Sequence, residues 1–444
     1  MKSGPHPAPA GIRLRRLLRL ATGLFALAGV CAALLVTLNL RGEDPVEPGA
    51  AAPIELPAQA ALVARGAYLV RAGNCAGCHT ARGGAEWAGG RGVETPFGIV
   101  YAGNLTPDAA TGLGGWNASH FWRALHNGRS KDGRLLYPAF PYTHYTRVTR
   151  ADSDAMFAFL RTVPAVVQPN ASHALRFPYD SQLALAVWRA LYFRPEPWRD
   201  EPARDDAWNR GAYLVRGLGH CSACHAPRNA WGAIDAAQEW SGGLMPMQRW
   251  YAPSLSSAAE GGVAHWRGED VVRLLRDGVN AQASVLGPMA DVVYRSTSHL
   301  SPADLSAMAV FLQSLPPSAS ASAPASGPAP APDAVDARTA ATGARVYADH
   351  CAGCHGDDGR GIEGAFPALA GNRAVVMANP ANVIRVVLAG GFLPATAGNP
   401  RPHGMAPFSH LLTDEQVAAV VTHVRTTWGN RAAPVGFNDV LRYR

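Results

Sequence analysis

Lysine is almost missing from this chain of 444 residues: Lys2 and Lys131 are the only two, so nearly all of the basic charge is arginine. Charge of either sign is scarce as well, at 16% of residues against a typical ~25%. That excludes a coiled coil, a charged disordered chain and a surface laced with ion pairs. The net charge of +7 is too mild and too dispersed for a nucleic-acid binder. Strand-like alternation is scarce throughout. No Ser/His/Asp set, phosphate loop or flavin fingerprint appears, and Gly112-Leu-Gly-Gly115 lacks the strand-loop-helix context of a nucleotide site. Glycine and proline are plentiful, 46 and 35 residues, 18% of the chain against roughly 12% on average. The length allows roughly three compact domains.

Cysteine is the most informative residue. Six of the seven cysteines fall in three identical arrangements, Cys75-Ala-Gly-Cys78-His79, Cys221-Ser-Ala-Cys224-His225 and Cys351-Ala-Gly-Cys354-His355; Cys31 is left over. A C-x-x-C-H run is the attachment signature of a c-type haem: two thiols one helical turn apart each form a thioether, and the next residue places an imidazole under the iron. A zinc ribbon needs two close cysteine pairs in one domain, whereas these motifs stand 146 and 130 residues apart. A thioredoxin-like pair needs a βαβ context, which is missing. Three covalent haems are expected, with His79, His225 and His355 as proximal ligands.

Near the start, Arg13, Arg15, Arg16 and Arg19 precede 21 uncharged residues, Leu20 to Leu40. At ~1.5 Å per residue they span about 31 Å, enough for a bilayer core. The positive-inside rule keeps the basic end in the cytoplasm and puts everything after Arg41 across the membrane. A cleaved signal peptide is the competing reading, but its apolar region is usually shorter, and Val30 is too bulky for a lipoprotein site before Cys31.

The chain repeats itself. Arg65-Gly-Ala-Tyr-Leu-Val-Arg71 and Arg210-Gly-Ala-Tyr-Leu-Val-Arg216 precede the first two motifs. Tyr101-Ala102 then answers Tyr251-Ala252, Trp116 answers Trp266, and Phe159-Leu160 answers Phe311-Leu312. The third unit is shorter, with Gly343-Ala-Arg-Val-Tyr347 before its motif. The expected organisation is a basic tail and membrane anchor (1–45), a first domain (55–165), a connector with an apolar helix (166–204), a second domain (205–316), a Pro/Ala/Ser linker (317–337), a third domain (338–430) and a tail (431–444). The linker reads as extended and semi-rigid, leaving the third domain free to move.

Each unit closes on a helix with a start signal. Ser301-Pro-Ala-Asp304 and Thr413-Asp-Glu-Gln416 are capping boxes, and Thr149 with Asp152 does the same in the first unit. The fold is therefore expected to be all-α, three small helical domains with long loops stapled by covalent haem. Leu183 to Phe193 is apolar around most of a helix but too short to span a membrane. Packing between the first two domains is the expected role, with docking on a partner or the membrane interface as the alternative.

These residues resemble a known family, the tri-haem cytochrome c subunits of bacterial membrane-associated dehydrogenases. The resemblance is carried by the Arg-Gly-Ala-Tyr-Leu-Val-Arg leaders, the three haem motifs, Gly103-Asn-Leu-Thr-Pro-Asp108, Leu136-Tyr-Pro-Ala-Phe-Pro-Tyr142, Trp208-Asn-Arg-Gly211, Gly219-His-Cys-Ser-Ala-Cys-His-Ala-Pro-Arg-Asn229 and Gly287-Pro-Met-Ala290. It implies three class I cytochrome c domains in tandem behind an N-terminal transmembrane helix. It further implies three covalently bound haem c groups and an inner-membrane, periplasm-facing location. The implied partners are a catalytic dehydrogenase subunit (molybdenum hydroxylase, quinoprotein or flavoprotein) and a quinone or terminal oxidase pathway.

The sixth iron ligands are expected in Gly/Pro-flanked loops just ahead of the closing helices: Met289 for the second haem and Met405 for the third, with His403 and His410 as rivals. The first loop departs from the alcohol dehydrogenase branch, with Phe140 where that branch carries Met. His144, four residues on, is the expected ligand, giving a bis-His haem of lower potential that would receive electrons from a low-potential donor. The alternatives are a pocket closed by Phe140 over a five-coordinate iron and, for the whole chain, a self-contained haem enzyme such as a peroxidase. Met156 and Met308 lie in apolar helical runs and are expected to pack rather than ligate.

Overall fold

The computed structural model describes residues 10–44, 56–317 and 335–444. The 317–337 linker therefore lies almost wholly outside the described residues. Helix α1 (Ala10–Asn39) includes Leu17–Asn39, 23 residues of mean hydropathy 2.2, long and apolar enough to cross a membrane and covered by the rest of the chain only over its last turn and a half.

The first unit runs from α2 (Leu56–Ala72) through α3 (Cys75–His79), strands β1 (Gly92–Thr95) and β2 (Gly98–Tyr101), α4 (Ala118–Asn127) and the short α5 (Tyr142–Tyr145) to α6 (Arg150–Leu160). Strand β3 (Ala174–Leu175) and α7 (Gln182–Tyr192) connect it to the second unit. That unit holds α8 (Asp206–Ala212), α9 (Ser222–His225), strands β4 (Gly243–Leu244) and β5 (Tyr251–Ala252), α10 (Gly268–Asp277), α11 (Pro288–Arg295) and α12 (Pro302–Gln313). The third has α13 (Ala337–His350), α14 (Ala352–His355), α15 (Arg373–Val376), α16 (Ala381–Ala389), α17 (Asp414–Thr426) and α18 (Phe437–Leu441). The all-α expectation needs a correction. β1, β2 and β3 form an antiparallel sheet and β4 pairs with β5, because the Gly-rich loops behind the first two motifs satisfy backbone groups against each other.

One helix crossing is built three times: α2 on α6, α8 on α12, and α13 on α17. A glycine lets each pair touch. A Cβ on Gly66 would collide with the Ala155 carbonyl, one on Gly211 with that of Ala307, and one on Gly343 with that of Ala419. The closing helices are capped as expected, by Thr149 on the Asp152 amide, Ser301 on the Asp304 amide and Thr413 on the Gln416 amide, each worth about 1 kcal/mol. Of these three, only Thr413 has the return arm, from Gln416. The carboxylates of Asp152 and Asp304 are used elsewhere.

They join the first two units. Arg65 Nε donates to Asp152 Oδ1 at 2.7 Å, and the Tyr213 hydroxyl, from the other unit, donates to Asp152 Oδ2 at 2.6 Å. Arg210 Nε and Nη2 donate to Asp304 at 2.8 Å each, and the Tyr68 hydroxyl crosses back to Asp304 Oδ2 at 2.5 Å. The two copies thus exchange tyrosines. Around this lock, Leu69, Leu160, Leu214, Leu218 and Phe311 belong to one continuous core. The third unit has its own core, with Val346, Ile384, Val417, Val420 and Val440. The C-terminal tail packs on this unit, since Val435 and Val440 are buried there.

Tyr68 and Tyr213 are pushed above the ordinary phenol value, by burial first and then by the carboxylates they bond. The Asp304 carboxyl is held below the ordinary range: burial opposes its charge, but Arg210 and Tyr68 outweigh burial. A depressed carboxyl contributes stability that is lost as pH falls through its folded value, below about 4, and raised phenols contribute stability lost as pH rises past about 10. The lock should therefore be complete between those limits. Replacing Tyr68 and Tyr213 together by Phe is expected to cost about 1.5–3 kcal/mol per hydrogen bond, toward the lower figure for half-buried Tyr68. The change should appear in thermal melts at neutral pH and vanish at the alkaline end.

The third unit docks on the second through polar contacts. Asn382 Oδ1 accepts from the Tyr251 amide at 2.9 Å while its Nδ2 donates to the Tyr251 carbonyl at 2.7 Å. Asn372 Nδ2 also donates to Ser284 Oγ at 3.1 Å.

Candidate haem attachment sites

The three C-x-x-C-H runs take the same shape. Each is a single helical turn in which the first cysteine is half-buried, the second is exposed, and none is in a disulfide. In each, the histidine Nδ1 lies against a backbone carbonyl: His79 on Gly103 at 2.7 Å, His225 on Pro253 at 2.7 Å, His355 on Pro367 at 3.0 Å. Nδ1 therefore carries the proton and Nε2 keeps its lone pair, the tautomer a metal needs. Burial lowers the basicity of all three rings, which holds them neutral, and the carbonyls offset only part of that.

Beside His79 lies a cavity of about 1710 Å³. Cys75, Cys78, Leu113, Phe121, Phe140 and Tyr145 are among its mostly apolar lining residues. Two sulfurs, a neutral imidazole and a large apolar recess match what a covalently attached porphyrin requires.

His144, the expected sixth ligand of the first haem, is not among the residues lining that cavity. It sits on α5, buried, with Nε2 3.0 Å from Ser222 Oγ, inside the second motif, and its ring faces His220 at 6.5 Å. The reason is reciprocal packing. α5 of the first unit lies against residues 213–218, which lead into the second unit's motif, and α11 of the second lies against α3, where Asp291 comes within 4.0 Å of Arg91. Phe140 and Tyr145 face the first cavity instead.

Met289 sits in the first turn of α11 and is half-buried. Met405 is half-buried in a loop pinned by paired backbone hydrogen bonds with Gly391, at 2.8 and 3.1 Å. Its rivals His403 and His410 are exposed. Met156 and Met308 are buried in the closing helices, as packing requires.

Sequence reasoning missed the carbonyls that orient the histidines. The repeat Tyr101-Ala102/Tyr251-Ala252 runs directly into Gly103 and Pro253, and that register was the available signal. It also missed the motif arginines: Arg91 donates to the Gly77 carbonyl and Arg228 to that of Ala223, both between the paired cysteines.

Cysteine pairs and histidines presented in this way define a c-type haem protein. The chain belongs to the cytochrome c family, whose model matches residues 63–164 and 340–428. Those intervals hold the first and third helix crossings. The alcohol dehydrogenase (quinone) cytochrome c subunit of Komagataeibacter europaeus is 38% identical, over 87% of this chain and 85% of that protein. The gluconate 2-dehydrogenase cytochrome c subunit of Pantoea cypripedii is 38% identical, over 86% of this chain and 90% of that protein. The fructose dehydrogenase cytochrome subunit of Gluconobacter japonicus is 33% identical, over 95% of this chain and 89% of that protein.

Proposed function

We propose that the chain is the electron-relaying subunit of a membrane-bound dehydrogenase, with three class I cytochrome c domains that each hold one haem c. The observation that carries this reading is the threefold occurrence of a C-x-x-C-H turn whose histidine is held by a backbone carbonyl. Cys75/Cys78, Cys221/Cys224 and Cys351/Cys354 supply the thioethers, and His79, His225 and His355 the proximal nitrogens. Met289 and Met405 are the sixth ligands of the second and third haems. Bound haem supplies one-electron chemistry. The protein's own contribution is to hold each imidazole neutral and fixed, to exclude water with apolar walls, and to keep the first two sites rigidly spaced through the exchanged tyrosines.

Electrons come from a catalytic dehydrogenase subunit, and α1 anchors the assembly in the inner membrane with the haem domains on the periplasmic side. The first cavity also reaches Val187 and Leu191 of α7 and the exposed Trp231 and Leu244. This apolar rim suits a lipid-soluble quinone as acceptor.

A pyridine haemochrome assay on purified protein is expected to give three haems per chain; two or fewer would defeat the three-domain reading. The polypeptide purified without its partner should oxidise no substrate, and dehydrogenase turnover by the chain alone would defeat the relay.

A further inference from the structure

The end of α1 is bolted to α7. Asn39 Nδ2 donates to the Ala186 carbonyl at 3.0 Å, Arg189 Nε donates to Asn39 Oδ1 at 3.1 Å, and Arg129 Nη2 donates to the Asn39 carbonyl at 3.1 Å. Arg129 in turn pairs with Glu43 at 3.0 Å. Leu35, Leu38 and Asn39 are the residues of α1 that lose exposure there, all in its last turn and a half. The inner face of α7 is fully used: Leu185 is buried, and the Arg189 guanidinium lies over the rings of Tyr142 and Phe193 at 5.2 and 4.7 Å. Its Trp188 Nε1 reaches the Trp231 carbonyl of the second unit at 2.9 Å, so the helix does bridge the two units.

The outer face is different. Leu183, Val187 and Leu191, four residues apart, form one stripe, with Leu183 68% and Leu191 67% exposed, and its Val187 and Leu191 also border the first cavity. Phe177 stands exposed before the helix and Arg194 after it. This is the pattern of an interfacial helix, with an apolar stripe, an aromatic at one end and a cation at the other.

We propose that α7 lies on the bilayer that α1 crosses, its Leu183/Val187/Leu191 stripe sunk into the boundary between headgroups and acyl chains. The proposal rests on the reading of α1 as an uncleaved anchor. A span of 23 residues is about 34 Å long at ~1.5 Å per residue, slightly more than a ~30 Å hydrocarbon core, so its final turn, and α7 with it, falls at the boundary. Lipid is the occupant because the hydrogen bonds to Asn39 hold α7 at that depth whatever else is bound. Docked so, α7 holds the first haem domain against the membrane.

The test uses the full-length haem-loaded protein in phosphatidylethanolamine/phosphatidylglycerol vesicles, in a Cys31→Ala background so that no native thiol reacts. Leu183→Cys and Leu191→Cys are compared with Glu363→Cys, whose side chain is 93% exposed, for their rate of reaction with a charged, membrane-impermeant maleimide. The two α7 positions should react about tenfold more slowly than position 363, or slower still. Equal rates, in protein that stays with the vesicles through alkaline carbonate, would overturn the proposal. So would slow labelling that needs the catalytic subunit or a high protein density, since those outcomes make the stripe a protein interface. Protein released by carbonate would defeat the anchor reading instead.

Discussion

Substituting Gly343→Val should unfold the third unit alone and lower the haem content by one per chain. Even the first carbon of any side chain at this position meets the Ala419 carbonyl and lies within 2.9 Å of His423 Cβ. Both belong to α17 and cannot move without opening the α13/α17 crossing. Overpacking of this kind typically costs about 1–3 kcal/mol and more when the obstacle is backbone, which is a large share of the stability of a small domain. The loss should stay local, because the cluster around Val346 and Val420 is separate from the one the first two units share. Gly353→Ala is the control. It lies between the paired cysteines, a Cβ there meets nothing within 4 Å, and the second motif already carries Ala223 at the matching position. Haem analysis and thermal melts of the two variants decide the matter, and a stable Gly343→Val protein with undiminished haem content would refute the shared crossing geometry.

His144→Ala is expected to leave the low-spin resonance signals of every haem unchanged. Its cost should instead be structural, about 1–3 kcal/mol, because the substitution leaves Ser222 without its imidazole partner at a buried contact between units. Ser222 keeps a second contact, to Glu239 Oε1 at 3.2 Å, which places the expected loss toward the lower end. Phe140→Met carries the complementary expectation. It puts a thioether into the lining of the first cavity and should add one Met-to-iron charge-transfer band at the red end of the spectrum. Disappearance of one low-spin signal in His144→Ala would restore that histidine to the first iron.

Much of the molecule was legible along the chain, because the signals concerned are local. A C-x-x-C-H run occupies one helical turn, so its spacing states the chemistry outright. The caps on α6, α12 and α17 involve residues three apart, and an apolar run from Leu20 to Leu40 announces a helix of membrane length with no reference to anything else. The Arg-Gly-Ala-Tyr-Leu-Val-Arg duplication marked the two related units. The glycine in it could be seen as a repeat but not as the site of a helix crossing, since the obstructing carbonyl lies about ninety residues away.

What the chain order could not state is which copy each side chain serves. Tyr68 and Asp152 lie in one repeat, yet Tyr68 bonds Asp304 and Asp152 receives Tyr213, because two similar units pack face to face and exchange equivalent residues. His144 shows the same exchange between units. Its position ahead of a closing helix suggested its own unit's iron, and the packing of α5 against the neighbouring motif turned it toward Ser222. Local periodicity sets helices, caps and covalent attachment points through contacts a few residues apart. The direction of a side chain at a junction depends on how whole units sit against each other, and the burial and hydrogen bonding that settle this exist only once the chain has folded.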